Sequence, residues 1–251
     1  IDFKKPNLVI KKIIRSSISD LICKGVSPKF YFISGSGNKN NFTKNKLFDL
    51  VKSLKEEQKK YSILLSGGDT TFSNKLSFTI ISLGYSKKIV YRNRAKLNDD
   101  IYITGNVGDS FIGLQILKKN IKVNKIYQKY FIDKYYKPNI PYLFSNILLS
   151  IANTSIDISD GLMSDLNRLL NKQKLSYEIY ENKIPISGFL KKIINLRKLK
   201  KSEIISNGDD YQILFTANKN KARIIDLLSK KVGIKVTKIG KINSKKKKSL
   251  M

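Results

Sequence analysis

The chain has 251 residues, with 49 Lys and Arg against 19 Asp and Glu, a formal net charge of +30, one cysteine and no histidine. The absence of histidine removes Ser-His-Asp and Cys-His catalysis, histidine metal sites and imidazole acid–base work, and a lone Cys23 leaves no disulfide framework or thiolate zinc site. No apolar run approaches the length of a membrane span and no signal peptide is visible, so the expectation is a cytoplasmic protein with no membrane partner.

Ser16-Ser17-Ile18-Ser19-Asp20-Leu21 reads as helical, with Asp20 set between apolar residues as either a helix cap or a metal ligand. Cys23 is expected as a small buried hydrophobe. The polar run 34–38 reads as a loop, because no helix follows its glycines. Residues 43–60 form an amphipathic helix with Leu47, Leu50, Val51 and Leu54 at helical spacing. A short strand, 62–65, then runs into Ser66-Gly67-Gly68-Asp69-Thr70-Thr71, where glycines suit a sharp turn and the approach of a bulky anion.

A second strand is expected over 76–83, and a domain seam near 85–90 divides the chain into 1–88 and 89–251. Beyond the seam, strands are expected at 100–104, 155–159, 177–180, 213–216 and 234–239. Helices are expected at 109–119, 141–153, 162–171, 188–199 and 221–231. The class is α/β, a two-domain arrangement of mixed sheets with layered helices.

The lysines are scattered in short pairs over the polar faces of these elements, which is the pattern of a solvated surface. The tail Lys245-Lys246-Lys247-Lys248 is the best candidate for a polyanion contact. No basic motif interleaved with aromatics supports nucleic-acid binding, which stands as the non-enzymatic alternative.

The chemistry-bearing motifs are acidic strand ends. Ile156-Asp157-Ile158-Ser159-Asp160-Gly161-Leu162 repeats the pattern of a short apolar strand entering carboxylates, a hydroxyl and a glycine. Arg92 through Lys96 offers a guanidinium able to clamp a phosphate bidentately. Gly208-Asp209-Asp210-Tyr211 precedes a further strand. Carboxylates, glycines and an arginine, with no obvious nucleophile, suit phosphoryl transfer, which needs positioning and charge neutralisation rather than a covalent group.

In order and over nearly the whole chain, these motifs resemble the thiamine-monophosphate kinase family, within the superfamily of aminoimidazole ribonucleotide synthetase and selenophosphate synthetase. The matching pieces are Ser19-Asp20-Leu21 with Gly25 and Pro28, Gly67 to Thr71, Arg92 to Lys96, Thr104-Gly105 with Gly108-Asp109-Ser110, Asp157 to Leu162, and Gly208 to Tyr211. The resemblance implies an aminoimidazole ribonucleotide synthetase-like fold, a homodimer built through the first domain, and ATP-dependent phosphorylation of thiamine monophosphate to the diphosphate. It assigns Mg²⁺ to Asp20, Asp69, Asp157 and Asp160, and the nucleotide to Gly68, Asp69, Arg92 and Ser159. It also assigns thiamine monophosphate to Asp209, where the family more often has glutamate. A sister enzyme of the superfamily with another acceptor is the alternative.

Four departures qualify the match. The family's Gly-Asp-Asp run should lie upstream of Ile1, and no late aromatic contact follows Lys238-Ile239-Gly240. Asn98 stands where glycine is usual and Arg94 where a small residue is usual. The expectation is of a sequence incomplete at its N-terminus, so the activity expected is that of the complete protein.

Overall fold

Four isoleucines spaced by four, Ile10, Ile14, Ile18 and Ile22, make the buried stripe of α1 (Pro6–Ile22), which opens on a proline whose missing N–H is free of cost there. The computed structural model describes residues 3–245 and 249–250. After α1 come β1 (Pro28–Gly37), α2 (Lys44–Tyr61), β2 (Leu64–Phe72) and β3 (Ser77–Gly84). These three strands form one sheet in the order β2-β1-β3, with β1 parallel to β2 and antiparallel to β3.

The rest of the chain runs β4 (Asp100–Thr104), α3 (Asp109–Leu117), α4 (Lys125–Tyr136), α5 (Ser145–Ile151), β5 (Thr154–Asp157), α6 (Leu162–Leu170) and β6 (Leu175–Ile179). It continues through α7 (Gly188–Arg197), α8 (Lys201–Ile205), β7 (Ile213–Ala217), α9 (Ala222–Val232), β8 (Val236–Ser244) and β9 (Ser249–Leu250). Its six strands lie in the order β5-β7-β4-β8-β6-β9, and only β6 and β9 pair in parallel. Among the described residues, no helix is long and apolar enough to cross a membrane.

Burial explains the apolar run Ile213-Leu214-Phe215 of β7. Ile213 and Phe215 enter the core that holds the α1 isoleucines, while Leu214 enters the core on the opposite face with α6. A strand covered on both faces has no polar side to alternate with. The first of these cores also takes Tyr31 of β1, Leu54 and Tyr61 of α2, and Phe144 and Leu148, so α1 is packed in common by both sheets.

Three expectations are corrected. Residues 34–38 are not a loop, since residues 34–37 are the last part of β1. Gly35 and Gly37 are there because a Cβ would come within 3.1 Å of the Phe78 ring and 2.9 Å of the Phe42 ring. The Gly67-Gly68-Asp69 run is not a turn but the middle of β2. Ser66 is the extra residue of a bulge where the register slips between Tyr31 and Phe32, and a Cβ on Gly68 would lie 1.8 Å from the Ile33 carbonyl oxygen. On α2 the buried residues are Ser53, Leu54, Glu57 and Tyr61, while Leu47 and Val51 are exposed. Helix α4 was not anticipated, because its inward positions are tyrosines and a phenylalanine among lysines. Lys246, Lys247 and Lys248 of the expected polyanion tail lie outside the described residues.

The rotation of α2 follows its one buried charge. Glu57 receives two hydrogen bonds from Arg15 of α1, both at 2.8 Å, and the Arg15 guanidinium also donates to the Pro138 carbonyl at 3.1 Å. Removing one partner of such a pair strands the other charge. Glu57→Ala is therefore expected to cost about 3–5 kcal/mol in urea unfolding. The double variant Arg15→Met/Glu57→Met is expected to recover most of that loss, and equal losses in both would contradict this account.

Candidate functional site

Residues 13, 16, 17 and 20 of α1 follow the i, i+3, i+4, i+7 spacing that places them on one helix face. Ile13, Ser16, Ser17 and Asp20 form one wall of a groove of about 440 Å³. Phe78 and Ile80, two apart on β3 and so on one sheet face, form a second wall. Asp157, Ser159 and Tyr211 complete the lining from the six-stranded sheet. Asp157 ends β5 and is buried, and Asp20 is exposed at the mouth.

The Ser19 hydroxyl donates to Asp157 Oδ2 at 2.8 Å. Burial, with the Asp20 and Asp165 charges adding to it, pushes the Asp157 carboxyl up to about 6 despite that bond. A desolvated carboxylate facing a second carboxylate, with a hydroxyl beside them, is an oxygen set suited to a hard divalent cation. Among the described residues, no group of three or more His, Cys, Asp and Glu is gathered closely enough to hold a metal ion by itself. Cys23 closes α1 as a buried thiol, 3.3 Å from the Asp20 carbonyl, and burial raises its pKa.

The loop carrying Ser159 is fixed from two sides. The Asp165 carboxylate, on the first turns of α6, accepts the backbone N–H groups of Ser159, Asp160 and Gly161 at 3.0, 2.9 and 3.1 Å. From the other side, Asp209 N–H donates to the Ser159 carbonyl at 2.9 Å, and Tyr211 N–H to that of Ile158 at 2.8 Å. Asp209 sits at φ +71° and Tyr211 at +51°, left-handed backbone that non-glycine residues seldom adopt. The Tyr211 hydroxyl donates to Asp209 Oδ1 at 2.9 Å.

Of the residues expected from sequence, Asp20, Asp157 and Ser159 are brought together in the groove, with Asp209 held against its Tyr211 wall. The others are not among its lining residues. Asp160 is exposed and paired with Arg168. Gly68 and Asp69 lie on exposed β2, the Asp69 carboxylate accepting the Thr70 N–H at 2.7 Å, and Arg92 is exposed. Sequence reasoning missed Ser16, Ser17, Phe78, Ile80 and Asp165. The helical stripe ending at Asp20 was the available signal for the two serines, as strand alternation was for Phe78 and Ile80.

Asp210, one residue from Asp209, has a different task. It is buried beside a separate small polar cavity and accepts the N–H groups of Gly108, at 2.7 Å, and Ser110, at 3.4 Å, at the start of α3. Burial pushes its carboxyl up to about 7.

Both carboxyls thus titrate well above an unfolded aspartate, near 4. Between about pH 4 and 7 the folded chain binds protons that the unfolded chain has lost, so stability falls as pH rises. In magnesium-free buffer, urea unfolding is expected to show lower stability at pH 8 than at pH 5.5, and Asp210→Asn is expected to flatten the upper part of that slope. A stability that rises between those pH values would contradict the assignment.

Residues 1–85 match the family described as AIR synthase related protein, N-terminal domain. The chain is 37% identical over 246 residues to the thiamine-monophosphate kinase of Buchnera aphidicola from Schizaphis graminum, covering 96% of this chain and 75% of that one. To the enzyme of the same name from Haemophilus influenzae it is 32% identical, covering 96% and 73%. The structure of AaThiL complexed with AMPPCP and TMP superposes with a TM-score of 0.87 at 26% identity, covering 98% of this chain and 77% of that one.

Proposed function

Since the chain belongs to the thiamine-monophosphate kinase family, we infer that it transfers the γ-phosphoryl group of ATP to the phosphate of thiamine monophosphate, giving thiamine diphosphate. This is a kinase step of thiamine biosynthesis. The observation that carries the reading is the groove in which Asp20, Asp157 and Ser159 converge. AaThiL has been solved with AMPPCP and TMP, and this chain shares its fold over 98% of its length.

The acceptor phosphate is already ionised at neutral pH, so no general base is needed, which suits a chain without histidine. Mg²⁺ is usually held by one or two carboxylates together with substrate phosphates, and Asp20 and Asp157 would be those carboxylates. When bound, the ion supplies charge neutralisation at the phosphate oxygens. Ser159 offers a hydroxyl at the phosphate end of the nucleotide, and the walls of Ser16, Ser17, Phe78 and Ile80 limit its movement. Roles for Gly68, Asp69, Arg92 and Asp160 rest on the ordered motifs alone, and Asp209 is assigned to thiamine monophosphate.

We also propose a homodimer working in the cytoplasm, and the three-stranded sheet supports the dimer. Leu64 of β2, Phe32 of β1, and Ile81 and Leu83 of β3 are exposed, and the strand register places these four on one face of the sheet. A clustered apolar surface of this kind marks a buried contact. The division of the chain into 1–88 and 89–251 is likewise our reading, supported by the confinement of each sheet to one of those segments.

Magnesium-dependent ATP turnover is expected to require thiamine monophosphate, and Asp157→Asn is expected to lower kcat about 100-fold or more with the fold retained by circular dichroism. Turnover with other acceptors of the superfamily, and none with this one, would overturn the substrate. In sedimentation velocity, Ile81→Glu is expected to convert a dimer into a monomer, and an unchanged sedimentation coefficient would refute the sheet interface.

A further inference from the structure

Lys12 has no place in the motifs, yet its charged end is buried beside the groove. It lies one helical turn before Ser16 and two before Asp20, on the same stripe of α1. Its side chain is 7% exposed, and its ammonium stands 2.8 Å from Asp209 Oδ1. It also lies 4.4 Å from the centre of the Tyr135 ring and 4.8 Å from that of Tyr211. Burying an ammonium is costly, and the carboxylate and the two ring faces offset that cost. Desolvation still prevails over the Asp209 charge and lowers the lysine pKa.

An apolar side chain would fill the same space without that cost, so the retained charge needs a use. The contacts of Asp209 supply one. Lys12 and the Tyr211 hydroxyl both engage Oδ1, which fixes the rotation of the carboxylate and leaves Oδ2 for a ligand. The backbone that carries this carboxylate is itself held in left-handed geometry at both Asp209 and Tyr211.

We propose that Lys12 is a positioning residue that aims the Asp209 carboxylate at the cationic thiamine portion of the acceptor, and so sets specificity for it. The inference rests on the assignment of Asp209 to that substrate. It gives α1 two parts in one site, a metal-side carboxylate at its C-terminal end and an acceptor-side clamp two turns earlier.

The test is a double-mutant cycle on steady-state kinetics with Asp209→Asn, Lys12→Met and the double variant. Each single change is expected to raise KM for thiamine monophosphate about tenfold or more, with KM for ATP within about twofold of the parent. In the double variant, KM for thiamine monophosphate is expected to equal that of Asp209→Asn, because Lys12 acts only through that carboxylate. The double variant leaves no stranded charge, so it keeps the comparison available if Lys12→Met alone fails to fold. Multiplying effects, or a parental KM in Lys12→Met beside a raised one in Asp209→Asn, would overturn the role of Lys12. A parental KM in Asp209→Asn would instead overturn the assignment of Asp209, and the inference with it.

Discussion

The site depends on the close approach of two backbone segments, residues 158–161 and 206–212. They leave adjacent antiparallel strands, β5 and β7, at the same end of the sheet, and their N–H and carbonyl groups pair across the gap. The approach is possible only because glycine occupies the contact. A Cβ on Gly208 would meet the Ser159 carbonyl oxygen at 1.8 Å, and one on Gly161 the Ser206 carbonyl oxygen at 2.1 Å. Asp165 then gathers three N–H groups of the first segment into one buried carboxylate. Ser159, Asp157 and Asp209 are neighbours because of this junction, though as many as 52 positions separate them in sequence.

Helix α1 supplies the other half by having two unlike faces. Its isoleucine stripe joins the core shared by both sheets, and its 13-16-17-20 stripe faces the groove. Anchoring the first stripe therefore fixes the second, so the carboxylate at the end of α1 is held relative to Asp157 by hydrophobic packing and not by a loop. The Ser19 hydrogen bond to Asp157 is the polar expression of the same contact.

What was legible in the sequence was periodicity. The strands over Asp100–Thr104 and Ile213–Ala217 and the helix over Leu162–Leu170 lay within one or two residues of expectation, because the strands centre on short apolar runs and the helix carries leucines at helical spacing. The glycine-rich stretches were misjudged for one reason. Gly35, Gly37 and Gly68 are set by what packs against them, two aromatic rings and a neighbouring strand, and a linear sequence does not display those neighbours. The acidic motifs were legible as chemistry, but their assembly was only partly so. Asp20 and Asp157 meet because of tertiary packing, whereas Asp160 turns outward to Arg168. Lys12 could not be found at all, since one lysine in a lysine-rich chain carries no signal until its burial is known.

The strong positive charge acquires a physical meaning only beside these buried carboxylates. A chain at +30 attracts polyanionic substrates over a Debye length of roughly 8 Å at physiological salt. That field favours arrival, but it does not by itself favour seating, because the groove proposed for the phosphates is lined by Asp20 and Asp157. The ionised Asp157 carboxyl is largely desolvated, so a second anion beside it is resisted more strongly than at the surface. A divalent cation held by Asp20 and Asp157 would offset both penalties. On the proposed reading, the burial that destabilises the groove would therefore make phosphate binding there conditional on the metal, and the lysine-rich exterior would not substitute for it.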